Sequence, residues 1–106
     1  MEEKTKDFDE IFIEAVDEGL RVLGESGKQM IFFYLEKGFS VKKHEIPEKP
    51  EAFAQGLEKI FKAGALVIEK VIIENLYSKL GLKHEETSNY SFIDYVKKAK
   101  EEIQKK

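Results

Sequence analysis

A chain of 106 residues has room for one hydrophobic core and not for two. Its 18 basic and 21 acidic residues leave a net charge of -3, which argues against general nucleic-acid binding, and the absence of cysteine rules out disulfides, thiolate chemistry and cysteine-held metals. No apolar run approaches the roughly 18 residues of a membrane span, and the N-terminus carries no apolar signal core, so a cytoplasmic protein with no membrane partner is expected.

Residues 1 to 6 are charged and are expected to fray. Asp7 and Glu10 have the spacing of a capping box, after which Phe8, Ile11, Phe12, Ala15, Val16, Leu20 and Leu23 recur every three or four residues up to Gly24. That is an amphipathic helix over 7–24, with an acidic outer face. Ser26 and Gln29 suggest a second capping box, opening a helix through the apolar run 30–35 that stops at Gly38. Residues 39–49 read as a connecting loop with a short helical turn near 42–45, pinned to the core by Val41 and Ile46. Pro50 suits the first position of the next helix, and Phe53, Leu57, Ile60 and Phe61 line one face of it up to a break at Ala63 and Gly64.

Residues 64–81 form the most apolar stretch. At 100° per residue, most of Ala65, Leu66, Val67, Ile68, Val71, Ile72, Ile73, Leu76, Tyr77 and Leu80 fall in one arc about half the helix circumference wide. Lys70, Glu74 and Ser78 mark the narrow side left for water, and Gly81 is placed to end the helix in the left-handed conformation. Glu69 breaks the pattern, because its neighbours one turn away are Ala65, Leu66, Ile72 and Ile73. A carboxylate there must swing to the solvent rim near the positive helix end, bind a proton, pair with a base such as Lys28, Arg21 or His44, lie at a subunit contact, or serve a small-molecule site. A polar linker follows over 83–90, and then a helix over 91–106 opened by Ser91 and Asp94. That helix carries a thin stripe of Phe92, Ile93, Val96, Ala99 and Ile103 among lysines.

Reactive chemistry finds little support in the residues. Gly27-Lys28 is followed by Gln29, Val22 stands where the first glycine of a phosphate-binding loop belongs, and the preceding element is a helix. His44 and His84 have no second histidine at metal-binding spacing, and no serine sits in a Gly-x-Ser-x-Gly elbow. No cofactor, no metal and no catalytic residue are therefore expected. Abundant Glu and Lys, with Arg21 the one arginine, tilt the composition toward a heat-adapted source.

Leu23-Gly24, Tyr34-Leu35-Glu36, Glu45-Ile46-Pro47 with Pro50, Leu57 through Phe61, and Ile68-Glu69-Lys70 together resemble a small archaeal family, the Nitrosopumilus output domain, and related archaeal proteins of unknown function. The likeness runs from Ala15 to Leu82 and excludes the last helix. It implies an output or interaction module of the kind attached to sensing and regulatory domains, and it carries no catalytic residues. Lys62-Ala63 departs from it, since the family tends to have glycine and proline in that turn.

The fold expected is a single all-α domain, a compact helical bundle of about five helices, with the helices at 7–24, 26–38 and 50–62 packed around 64–81. The function expected is a non-enzymatic regulatory or protein-interaction role, with self-association as a homodimer through the last helix. Its candidate interaction or buried-charge residues are Glu69, Lys28, Arg21, Phe92, Ile93 and Val96. The alternative is an anion- or nucleic-acid-binding regulator using Lys28 and the C-terminal lysines.

Overall fold

The computed structural model describes residues 7–86 and 89–104, and all of its regular structure among them is helical. The expected fraying of residues 1 to 6 lies outside the described residues, as do Lys105 and Lys106. The helices are α1 (Phe8–Leu20), α2 (Gly24–Phe39), α3 (Pro50–Phe61), α4 (Ala65–Leu80) and α5 (Phe92–Gln104). Single 3-10 turns occupy Arg21–Leu23, Lys43–Glu45 and Lys62–Gly64. The molecule is compact, 40 × 38 × 23 Å, so its short dimension holds two layers of helices at about 10 Å each.

Local chemistry explains most boundaries. The Asp7 carboxylate accepts from the Glu10 amide at 2.9 Å while the Asp7 amide donates to the Glu10 carboxylate at 3.1 Å. At α5 the Ser91 hydroxyl accepts from the Asp94 amide at 3.2 Å while the Ser91 amide donates to the Asp94 carboxylate at 2.9 Å. Pro50 opens α3, where a missing N–H costs nothing. At the end of α4, Gly81 sits at φ 71°, and the Leu82 amide donates to the Tyr77 carbonyl at 2.9 Å, satisfying a carbonyl the helix leaves free.

Two expected boundaries are corrected. The helix placed at 26–38 begins at Gly24 without a side-chain cap, because Gly24 makes the corner itself at φ 85° and ψ 163°, a conformation closed to other residues. Ser26 therefore lies inside the first turn. Gly38 does not stop the helix either. Ser40 takes the left-handed position at φ 58°, and the Val41 amide reaches back to the Leu35 carbonyl at 3.1 Å, which lets Val41 enter the core.

The core runs through every α-helix and includes the pinned loop residues Val41 and Ile46. Ile72 and Leu76 of α4 are fully buried among Phe12, Val16 and Leu20 of α1, Phe53 and Leu57 of α3, and Phe92 and Val96 of α5. Burial of each such side chain contributes roughly 1.5–3 kcal/mol. The Tyr77 hydroxyl ties α4 to α5 by donating to the Tyr95 carbonyl at 2.8 Å. The expected placement of α2 against 64–81 is corrected: α2 packs mainly on α3, on the 3-10 turn at 21–23 and on α1. Gly24 turns it across the end of α1, away from α4. The apolar arc of α4 is also narrower than its sequence suggests, since Leu66 and Val67 in the first turn are 72 and 65 % exposed. Among the described residues, no helix is long and apolar enough to cross a membrane.

Candidate functional site

Glu69 is 6 % exposed, so the rim position considered for it does not occur. Neither does the pairing: Lys28 and Arg21 serve other carboxylates, and the Oε2 atom of Glu69 is buried without a hydrogen-bond partner among the described residues. Burial pushes its carboxyl up to about 7, and the Glu58 carboxylate on α3 adds to the rise.

The same residue lines a cleft of about 350 Å³ between α4, α5 and the segment that joins them. Leu66, Ile73 and Phe92 make its apolar wall, and His84, Tyr90 and Tyr95 its aromatic side. The three rings are held together, with Tyr95 edge-on to His84 at 5.3 Å and to Tyr90 at 5.1 Å between centroids. His84 also lies 5.5 Å from Tyr77, so it is a half-buried packing ring and not the surface histidine its loop position suggests. Lys70, at the mouth, is committed to Glu86 at 2.6 Å, and that contact raises its pKa.

Lys28 and Arg21 come together elsewhere, at the corner between α1 and α2. The Lys28 ammonium, 4 % exposed, contacts Asp17 Oδ1 at 2.5 Å and Glu25 Oε2 at 2.9 Å. Lys43 reaches the other Asp17 oxygen at 2.6 Å, and Arg21 approaches Asp17 at 3.2 Å and Glu25 at 3.9 Å. Burial pulls the Asp17 carboxyl upward, but the hydrogen bonds from Lys28 and Lys43 together outweigh it and hold the group at about 2. This arrangement places the Lys28 ammonium between two carboxylates. It fastens the loop at 43 to the α1–α2 corner.

Phe92, Val96 and Ala99 of the last helix's stripe are buried in this chain's own core, while Ile93 and Ile103 are half-buried. Asp17 and Lys43 carry the polar corner yet were not singled out in the sequence. The signal for Asp17 was present in Arg21 four residues on, whereas its bonds to Lys28 and Lys43 span 11 and 26 residues and depend on how the helices cross. Among the described residues, no group of three His, Asp or Glu side chains could hold a metal ion.

Comparison of the chain with models of known protein families, with curated proteins and with solved structures gives no significant match.

Proposed function

We propose that this chain is a non-enzymatic interaction module that works as a homodimer, with the outward face of α2 as its contact in place of the last helix. The observation that carries the reading is the run of large apolar side chains left uncovered there. Met30, Phe33 and Tyr34 are 51, 54 and 48 % exposed, and Leu23 extends the stripe at the corner. At helical spacing Leu23, Ser26, Gly27, Met30, Phe33 and Tyr34 share one face. In an antiparallel pair centred on Met30, the residue k places after it meets the residue k places before it. Phe33 then faces a second copy's Gly27, and Tyr34 its Ser26, so bulky rings lie over small residues and both rows bury apolar area at once.

The output-domain likeness points the same way, because a module without catalytic groups acts through contacts. In this reading the chain is a bundle of about five helices in which α4 is wrapped by α1, α3 and α5 and α2 is left free to pair. The anion-binding reading loses its main residue, since Lys28 is buried between two carboxylates. Sedimentation velocity over a dilution series tests the dimer. The full chain should sediment as a dimer at micromolar concentration and Phe33→Glu as a folded monomer. A monomeric full chain at high concentration would end the proposal.

A further inference from the structure

One carboxylate oxygen of Glu69, Oε2, is buried without a hydrogen-bond partner among the described residues, which is costly and calls for an explanation. Among the described residues, no ion pair reaches Glu69. Lys70, the adjacent cation, is engaged by Glu86, and Glu58 adds negative charge from α3. Lys70 and Glu86 offset one another at the cleft, so the charge at its floor is that of the Glu69 carboxylate. Its walls are the apolar Leu66 and Ile73 and the rings of Phe92, Tyr90 and Tyr95.

We propose that the cleft between α4 and α5 binds a small primary or secondary amine as its ammonium ion, with an alkyl or aromatic body, seated on Glu69. The carboxylate takes an N–H hydrogen bond and the charge that it lacks, which selects an amine with N–H donors over a quaternary one. The body of the ligand lies on Leu66, Ile73 and Phe92, and Tyr90 and Tyr95 turn ring surface toward the cation. A volume of about 350 Å³ is at the small end of the roughly 300–1,000 Å³ typical of such sites, which suits a ligand of one ring and a short chain. This site is separate from the α2 face, so it stands whether or not the chain dimerises.

The test is calorimetric titration of the full chain with 2-phenylethylamine at pH 8.5, beside its N,N,N-trimethyl analogue. Saturable binding of the primary amine is expected, with a Kd on the order of millimolar for so small a ligand. Glu69→Gln, which keeps the shape of the side chain, should weaken binding at least tenfold. Tyr90→Ala, at the exposed rim where it does not support the core, should weaken it severalfold. The trimethyl analogue should bind at least tenfold more weakly than the parent amine. No saturable binding by the full chain would overturn the proposal. So would equal affinity in Glu69→Gln, in Tyr90→Ala, or for the trimethyl analogue.

Discussion

At the scale of single residues, two carboxylates set the response to pH in opposite directions. Glu69 holds its proton more tightly in the folded chain than in the unfolded one, so stability falls as pH rises from 4.5 through about 7. The loss is roughly 2–3 kcal/mol, and Glu69→Gln should remove it. Thermal melts at pH 5 and pH 8 check this: the full chain should lose Tm between them, and the variant should lose much less. Asp17 works the other way, because its lowered pKa contributes stability above 3.8 that disappears as pH falls toward about 2. With solvent screening allowed for, that contribution is about 1–2 kcal/mol. Asp17→Asn should cost about 1–2 kcal/mol in urea unfolding at pH 7, since Glu25 still faces the buried Lys28. Glu69 was legible in the sequence as a charge inside an apolar arc. Its lack of a partner was not, because that depends on where Lys28 and Arg21 are drawn by the α1–α2 corner.

At the scale of elements, the turn before α4 carries strain that a substitution can release. Lys62 sits at φ 56° and ψ -130°, a region that a side chain disfavours and glycine does not. Lys62→Gly should therefore raise stability by about 1 kcal/mol, read as a higher urea midpoint with an unchanged slope. The opposite result is expected where α1 crosses α4. A Cβ on Gly19 would lie 2.6 Å from Ile72 Cγ1 and 3.4 Å from its Cα, so Gly19→Ala should cost about 1–2 kcal/mol despite the better helix former. Elements whose ends are set by neighbouring residues were readable from the sequence, as the capping boxes at Asp7 and Ser91 and the glycine stop at 81 show. Ser26 and Gly38 misled because tertiary demands won locally. Gly24 had already made the turn, and burying Val41 moved the helix end to Ser40. The cleft was hidden for a related reason, since His84 and Tyr90 sit in a polar segment without periodicity.

At the scale of the whole molecule, the two titrations together place maximum stability near pH 4–5, above the Asp17 window and below that of Glu69. The same scale holds the functional claim, that two copies pair through α2 in antiparallel fashion about Met30. The chain has no cysteine, so Glu36→Cys, at an exposed position off the Met30–Phe33 face, carries one nitroxide label per copy. Residue 36 lies six positions from the proposed axis, which separates the two labelled sites by about 18 Å along the helices and about 10–15 Å across them. Electron–electron dipolar spectroscopy should give a single distance of about 20–30 Å. A background decay without dipolar modulation, or a separation of about 10–15 Å from parallel helices, would contradict the account.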